Sequence, residues 1–218
     1  MNVAIIVAGG SGTRLGGEIP KQYLRVGDRE LLAYPVTTFL THPRIDEVII
    51  VCAQPWLEHV RESFPQCSAV LGGETRQTSS RNGVNACPGD TVNVLIHDAA
   101  RAFVTPELIS RCLDALPGND AVAPILPSRD SLVNISESQP GFVDRSHIAA
   151  VQTPQCFPLP IIREVHDSDL DGSDEIGMAL RLLPELHCRF VEGEAGNYKV
   201  TTALDFKLAK IVAQSWGA

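Results

Sequence analysis

Residues 3–17 read VAIIVAGGSGTRLGG, and Pro20-Lys21-Gln22 follows shortly after. The apolar run predicts a buried strand, and the glycines after it let the main chain curl until its N–H groups surround a bulky anion. Arg14 lies within this glycine loop and Lys21 lies just after it, so both would add positive charge around that anion. The stretch therefore predicts a strand that leads into a polyphosphate-binding loop.

Two familiar glycine motifs do not match this loop. A P-loop requires a glycine directly followed by lysine, and no glycine in the chain has that neighbour. The dinucleotide fingerprint G-x-G-x-x-G nearly fits, but Gly10 and Gly12 are followed by Leu15 where the third glycine belongs. A basic loop also suits a triphosphate better than a dinucleotide. We therefore favour a nucleoside triphosphate, and keep an NAD(P)-dependent oxidoreductase and a non-catalytic nucleotide-sensing module as alternatives.

Length, charge and cysteine content narrow the class of protein. The 218 residues, of which 44% are hydrophobic, predict one domain spanning residues 1–218. A net charge of −8 argues against nucleic acid or an anionic membrane as the partner, because both are bound through clustered Lys and Arg. The N-terminus lacks the pattern of a signal peptide. The six cysteines form no C-x-x-C pair, which favours reduced thiols and a cytoplasmic protein.

Apolar runs alternate with helically spaced segments along the first part of the chain. Several runs are continuously apolar, as expected of parallel strands that are buried on both faces. The alternation predicts an α/β fold with a Rossmann-like, mostly parallel sheet flanked by helices, in which ligands bind beyond the carboxyl ends of the strands. The predicted strands are residues 3–7, 48–52, 69–71, 92–97 and 121–125, and the predicted helices are residues 31–40, 55–64, 78–86 and 106–116.

A polar, turn-rich segment at residues 127–157 interrupts this alternation. Within it, Pro140-Gly141 is a turn signal between two short predicted strands, residues 131–135 and 142–144. A hairpin with so few apolar residues is not stable alone, so we predict a protruding β-arm that packs on a partner subunit in a homodimer. A surface lid on a monomer is the alternative. Beyond it we predict helices at 159–166, 174–183 and 203–215, and short strands at 188–191 and 198–201.

Two further segments follow predicted strands and so fall at the same edge of the sheet. His97-Asp98-Ala99-Ala100-Arg101 favours an aspartate that orients a sugar hydroxyl or a metal-bound water, with an arginine for phosphate. A salt bridge at the strand end is the structural alternative. Residues 72–80 offer glycine N–H groups, Arg76 and hydroxyls where a base or phosphate can dock, although such residues are also ordinary at helix starts.

Several other site types find no support in the sequence. The run from Asp167 to Gly172 resembles an EF-hand start, but Met178 stands where calcium requires glutamate, so Asp174 and Glu175 are expected to cap a helix instead. The histidines show no H-x-x-x-H spacing for zinc, and no G-x-S-x-G elbow offers a nucleophile.

In their order along the chain, these motifs resemble the bacterial 2-C-methyl-D-erythritol 4-phosphate cytidylyltransferase family. The resemblance covers nearly the whole chain, and the ordered set is far more specific than any one motif. The motifs are residues 8–14 with 20–24, 72–76 with Ser79, 97–101, 129–131, 143–145, 152–155, 173–175 and Asn197-x-Lys199-Val200-Thr201.

The resemblance implies a nucleotidyltransferase core, a β-arm exchanged across a homodimer, and Mg²⁺-dependent transfer of CMP from CTP to the polyol phosphate. The product would be 4-diphosphocytidyl-2-C-methyl-D-erythritol, an intermediate of non-mevalonate isoprenoid synthesis, with release of pyrophosphate. Mg²⁺ would be held mainly by phosphates, with Asp98 the one side chain considered for it. The implied catalytic residues are Arg14, Lys21, Arg145 and Lys199; the nucleotide-binding residues are Ala8, Gly9, Gly10, Ser11, Gly12, Gly73, Glu74, Ser79, Asp98 and Ala99; the substrate-binding residues are Asp98, Arg101, Ser131, Arg145 and Thr153.

The chain departs from the family pattern at a few positions. Ser131 stands where the family usually has threonine, which keeps the hydroxyl, and Ala102 replaces a common proline. Gly9-Gly10 after Val7 is more like the related ribitol-5-phosphate cytidylyltransferases, so ribitol 5-phosphate or another polyol phosphate is the alternative acceptor. Arg129-Asp130 and the run from Val143 to Arg145 favour methylerythritol phosphate.

Overall fold

A central sheet flanked by helices organises the chain, which we describe from a computed structural model over residues 1–10, 19–136, 140–168, 170–172 and 174–216. The strands are β1 (Asn2–Ala8), β2 (Arg25–Val26), β3 (Arg29–Glu30), β4 (Glu47–Cys52), β5 (Ser68–Leu71), β6 (Asn93–Asp98), β7 (Ala121–Pro127), β8 (Leu132–Asn134), β9 (Gly141–Val143), β10 (Ala149–Val151), β11 (Gln155–Pro158) and β12 (Cys188–Glu192). The helices are α1 (Ala33–Thr41), α2 (Leu57–Ser63), α3 (Arg76–Asn85), α4 (Pro106–Ala115), α5 (Leu159–Asp167), α6 (Glu175–Leu182) and α7 (Ala203–Ala213).

Eight strands form the central sheet, and most of them are parallel. β1 pairs in parallel with both β4 and β6, and β4 pairs in parallel with β5. β11 runs antiparallel between β6 and β7. On β7, β12 pairs in parallel, and β10 pairs antiparallel with the last three residues of the strand. The predicted Rossmann-like, mostly parallel sheet is therefore confirmed, with two antiparallel strands, β10 and β11.

Both faces of the sheet are covered, which explains why its inner strands are continuously apolar. Along β1, Ala4 and Ile6 face a cluster that includes Phe39 of α1 and Leu108 of α4. Val3, Ile5 and their neighbours face a second cluster built with α3, α5 and α6. Successive strand side chains point to opposite faces, so a strand between two helical layers must be apolar at every position.

The predicted elements agree with the structure except in a few places. The predicted strand at residues 198–201 is wrong: these residues form no strand, and the Val200 N–H instead donates to Ala100 O at 2.8 Å. β10 and β11 were not predicted, nor was the β2–β3 hairpin, which turns at Gly27 with φ +68°. α3 begins at Arg76, two positions before its predicted start, because Thr75 caps it.

The segment predicted as a β-arm, residues 127–157, is only partly separate: β8 and β9 form a hairpin of their own, whereas β10 and β11 belong to the central sheet. β8 and β9 pair antiparallel as a separate two-stranded sheet, with Leu132 opposite Val143. The hairpin exposes large apolar side chains: Ile135 is 81% and Phe142 86% exposed. The homodimer remains a prediction.

Across the described ranges, no helix combines the length and apolar character needed to cross a membrane.

Candidate active site

A cleft of about 410 Å³ opens at the carboxyl ends of β1 and β6, where the sequence placed the ligand. Of the predicted site residues, those that line it are Ala8, Gly9, Gly10, Lys21, Gly73, Glu74, Ser79, Asp98, Ala99 and Lys199. Arg14, Ser11 and Gly12 lie outside the described residues. The described part of the predicted nucleotide site is therefore brought together, from loops that are far apart in the chain.

The Asp98 carboxylate is the centre of the charges in this cleft. Its side chain is 10% exposed; Arg76 Nε donates to Oδ1 at 3.0 Å and Lys199 Nζ donates to Oδ2 at 2.8 Å. Burial acts to raise the pKa of Asp98, but Arg76, Lys199 and Arg101 outweigh it and hold that pKa well below its usual range. Asp98 is therefore a permanent carboxylate that holds two cations at the cleft.

Arg76 is held in place from its other side by a buried glutamate. Arg76 Nη1 donates to both Glu175 oxygens, at 2.8 and 2.9 Å, and the Glu175 side chain is fully buried. Burial alone would lower the pKa of Arg76, but Glu175 and Asp98 together raise it above its ordinary value. Glu175 was expected to cap a helix, whereas Asp174 is the N-cap, accepting from the Gly177 N–H at 2.8 Å.

A buried chain of hydrogen bonds through His97 and Thr153 orients the Asp98 backbone. His97 Nε2 lies 2.9 Å from the Arg101 carbonyl, which can only accept, so Nε2 carries the proton. Burial lowers the pKa of His97 to about 4, and Nδ1 of the neutral ring accepts from the Thr153 hydroxyl at 3.0 Å. The same hydroxyl accepts the Asp98 N–H at 3.1 Å. Thr153, predicted to bind substrate, is 3% exposed and instead binds the Asp98 backbone through its hydroxyl.

The turn at Lys21–Tyr23 fixes both Lys21 and the start of the glycine loop. Gln22 is buried, and its Nε2 donates to the carbonyls of Ala8 and Gly10, each at 2.7 Å. Tyr23 anchors the turn in the core by stacking on Trp56, with ring centroids 3.9 Å apart. Lys21 Nζ donates to the Val200 carbonyl at 2.6 Å, which brings Lys21 beside the loop that carries Lys199.

The Ser79 hydroxyl lies between the second loop, residues 72–80, and the first glycine loop. Ser79 Oγ accepts the Gly73 N–H at 3.1 Å and donates to the Thr75 carbonyl at 2.9 Å. A Cβ at Gly72 would lie 2.8 Å from this oxygen, and one at Gly9 would lie 3.0 Å from it. The absence of side chains at these two glycines therefore allows the loops to approach each other across Ser79.

The remaining predicted substrate residues do not line this cleft. Arg101 lies nearby, 4.0 Å from Asp98, but its guanidinium donates to the Asn197 carbonyl at 2.9 Å. Arg145 and Ser131 are exposed on the arm, and Arg145 Nη1 donates to the Arg129 carbonyl at 2.8 Å. Within one chain, the structure therefore brings Arg101 close to the cleft and leaves the two arm residues apart from it.

Sequence reasoning missed three residues that shape the site. Gln22 was quoted with the loop but given no role, although it clamps two of the loop's carbonyls. Arg76 was noted only as a docking charge, and its pairing with Glu175 was not foreseen. Two adjacent acids at the start of a helix do not reveal which one turns inward, so no signal in the sequence separates Glu175 from Asp174.

The chain matches the model of the family described as IspD, 2-C-methyl-D-erythritol 4-phosphate cytidylyltransferase, over residues 2–215. It is 34% identical over 220 residues to the cytidylyltransferase of that name from Thermotoga neapolitana, covering 99% of this chain and 98% of that one. The crystal structure of 4-diphosphocytidyl-2C-methyl-D-erythritol synthase from Anaerococcus prevotii is similar with a TM-score of 0.87 and 28% identity, covering 98% of this chain and 96% of that chain. A Haemophilus influenzae bifunctional ribulose 5-phosphate reductase/CDP-ribitol pyrophosphorylase is 28% identical over 229 residues, covering 98% of this chain and 48% of that protein.

Proposed function

Because the chain belongs to the 2-C-methyl-D-erythritol 4-phosphate cytidylyltransferase family, we propose that it transfers CMP from CTP to 2-C-methyl-D-erythritol 4-phosphate. The products are 4-diphosphocytidyl-2-C-methyl-D-erythritol and pyrophosphate. The observation that carries the proposal beyond family membership is the cleft itself, where Lys21, Lys199 and Arg76 meet the backbone of a glycine loop.

The chemistry of this cleft suits nucleotidyl transfer. A phosphomonoester is already an anionic nucleophile, so the reaction needs no strong general base. Its difficulty lies in bringing two anions together in line, which positioning and preorganised positive charge achieve. Cations held by a buried carboxylate, as Lys199 and Arg76 are held by Asp98, lose little further freedom when a phosphate arrives.

We assign the phosphates to the basic side of the cleft. Lys21 and Lys199 stabilise the charge that develops on the α-phosphate, and Arg14 joins them from the glycine loop. The Arg76 guanidinium, held by Asp98 and Glu175, adds positive charge to the wall of the cleft. The N–H groups of Gly9 and Gly10 would contact the remaining phosphate oxygens.

The second loop would hold the base and sugar of the nucleotide. Gly73 and Glu74 are exposed at the cleft, directly before the capped start of α3. Ser79 has its hydroxyl engaged with the loop backbone, so its role in this proposal is to shape the loop. Asp98 and Ala99 complete the wall on the side of β6.

The donor set fits a magnesium ion carried in by the nucleotide. Of the parts of the chain that the structure describes, none groups three or more His, Cys, Asp or Glu residues in a way that could hold a metal. Mg²⁺ commonly keeps several waters and uses one or two carboxylates together with substrate phosphates. Asp98 would be its carboxylate here, and the ion would neutralise charge on the phosphates.

A second copy of the chain would complete the acceptor site. The arm exposes Phe142 and Ile135, which supports its packing on another subunit. Arg145 and Ser131 would then reach the methylerythritol phosphate in the neighbouring cleft. Arg101 would contact the same substrate from within its own chain, and Thr153 would act by orienting Asp98.

We also propose a cytoplasmic location, which is supported by the free thiols of all six cysteines.

A ribitol-5-phosphate cytidylyltransferase is the second candidate. The match to the Haemophilus influenzae protein favours it, although that protein is less similar to this chain than the Thermotoga relative and about twice as long. Both candidates use the same nucleotide site and differ only in the acceptor.

A screen of nucleotides against acceptors tests the proposal. Pyrophosphate release is measured with CTP, UTP, ATP or GTP against methylerythritol phosphate, ribitol 5-phosphate and glycerol 3-phosphate, with Mg²⁺ present. We expect release only with CTP, and the highest kcat/KM with methylerythritol phosphate. A preference for ribitol 5-phosphate would select the second candidate, and the absence of release in every combination would reject both.

A further inference from the structure

The segment at residues 152–155 joins β10, at the base of the arm, to β11 inside the sheet. Both of its glutamines are buried: Gln152 is 3% exposed and Gln155 is 1% exposed. Buried amides need hydrogen-bond partners. The partners of Gln152 lie in the loop that leads to Lys199, and those of Gln155 lie at the start of α6. The nucleotide and acceptor assignments above give neither glutamine a role.

Gln152 holds the loop that carries Lys199. Its Nε2 donates to the carbonyls of Glu194 at 2.8 Å and Asn197 at 3.3 Å, and its Oε1 accepts the Glu194 N–H at 3.1 Å. The loop packs so closely that a Cβ at Gly193 would lie 2.6 Å from Oε1. Lys199 follows Asn197 by two positions, so this amide, together with the Val200 N–H bond to Ala100, holds the backbone from which Lys199 reaches Asp98.

Gln155 holds the helix start that positions Arg76. Its Oε1 accepts the Ile176 N–H at 2.9 Å, and its Nε2 lies 3.5 Å from Asp174 Oδ1. Ile176 directly follows Glu175, whose buried carboxylate holds Arg76. Gln155 therefore fixes the first turn of α6 in the orientation that directs Glu175 towards Arg76.

We propose that Gln152 and Gln155 are positioning residues, with Gln152 setting Lys199 and Gln155 setting Arg76 on the two sides of the Asp98 carboxylate. One short segment, continuous with the base of the arm, thereby places both cations. The catalytic consequence rests on the proposed function, because that function assigns Lys199 to the phosphates. The placement itself does not, so it has a test of its own.

The first test measures the chemical reactivity of the Lys199 amine and needs no substrate. Gln152→Met removes the amide and keeps the size of the side chain, whereas Gln152→Glu keeps the shape and the acceptor but loses the donor. We expect acetylation of Lys199, followed by mass spectrometry, to accelerate about threefold or more in either variant, the scale of a lost, partly exposed ion pair. Lys207 and Lys210 of α7 are exposed and serve as internal references.

The second test is a double-mutant cycle on turnover. Gln152→Met should lower kcat about tenfold, and should lower it no further when Lys199 is already alanine, because residues in one network are not additive. Gln155→Met acts through Arg76, so it should still lower kcat when Lys199 is already alanine. Gln66→Met, at an exposed glutamine, is the matched control and should change neither readout.

The outcomes separate the two proposals. Unchanged Lys199 reactivity in both Gln152 variants, with melting temperatures near that of the wild type, would overturn the positioning role. An additive cycle for Gln152 in an active enzyme would also overturn it and leave the proposed function intact. An inactive wild type with the expected rise in Lys199 reactivity would reject the function and keep the placement.

Discussion

Lys199 and Asp98 lie 101 positions apart in the chain, yet Nζ of the lysine is 2.8 Å from Oδ2 of the aspartate. The same carboxylate binds Arg76 through its other oxygen at 3.0 Å. The end of β6, the start of α3 and the loop before α7 therefore converge on one buried charge. This convergence makes Asp98 both a structural centre and the support of the proposed catalytic cations.

Replacing Asp98 by asparagine should destabilise the fold. The change leaves Arg76 and Lys199 without the charge that binds both, and removing one partner of a buried ion pair costs about 3–5 kcal/mol. The free energy of unfolding from urea denaturation measures the loss. Asp114→Asn is the control, because Asp114 pairs with Arg44 at the surface and its side chain is 70% exposed. A loss for Asp98→Asn no larger than the control's would contradict the role of Asp98.

Replacing Lys21 by alanine should lower turnover with little effect on folding. Lys21 lines the cleft, and losing one preorganised charge from a transition state costs about 10²-fold or more in kcat. Steady-state pyrophosphate release measures the effect, with Lys207→Ala on the exposed face of α7 as the control. Equal turnover in the two variants would remove Lys21 from the site.

Hybrid subunits should recover activity that neither parent has. If the arm of one subunit completes the cleft of another, Arg145→Ala and Lys21→Ala damage different halves of each shared site. Mixing the two inactive variants then regenerates some clefts with both residues intact. Restored turnover on mixing, in proportion to hybrid formation, is the expected result; persistent inactivity in verified hybrids would place Arg145 in its own subunit's site.

Stability should fall as the pH drops from about 6.5 towards 4, because burial lowers the pKa of His42, His97 and His166 and so favours their neutral form in the folded protein. Burial lowers the pKa of His97 and of His166 to about 4, below the ordinary value of 6.5. Since the unfolded chain binds the protons first, stability is complete above pH 6.5 and each of these two histidines removes on the order of 2–3 kcal/mol by pH 4.

Urea unfolding between pH 8 and 4.5 measures this decline. Replacing His166 by glutamine should make the pH slope shallower, since one of the buried histidines with a lowered pKa is gone. His187→Gln, at an exposed histidine, is the matched control for the substitution itself. An identical slope in the wild type and the His166 variant would show that His166 does not titrate on unfolding. Asp98, whose folded pKa is depressed, weakens the fold only at lower pH.

The parts of the site that the sequence predicts are those fixed by local rules. Asp98 and the glycine loop end parallel strands, and such strand ends meet at one edge of the sheet. The Lys199 segment was predicted as a strand, yet it is an irregular loop held by Gln152 and by the Val200 N–H. Contacts between distant segments decided that outcome, and they leave no periodic pattern in the chain.

Other features depended on long-range contacts as well. β11 is short and follows a polar segment, so its composition does not predict a strand between β6 and β7. The inward turn of Glu175 depends on Arg76, which lies 99 positions earlier. The arm's hairpin was predicted from Pro140-Gly141, although Gly141 itself begins β9 and lies opposite Asn134.

If CMP passes intact from CTP to the acceptor in this cleft, the α-phosphate of CTP must be found in the product. Wild-type protein is incubated with CTP labelled at the α-phosphate, Mg²⁺ and methylerythritol phosphate, and the labelled products are separated. We expect the label to appear in 4-diphosphocytidyl-2-C-methyl-D-erythritol, with one pyrophosphate released per product. Label that stays in CTP, or that appears only in free CMP, would contradict intact transfer of CMP.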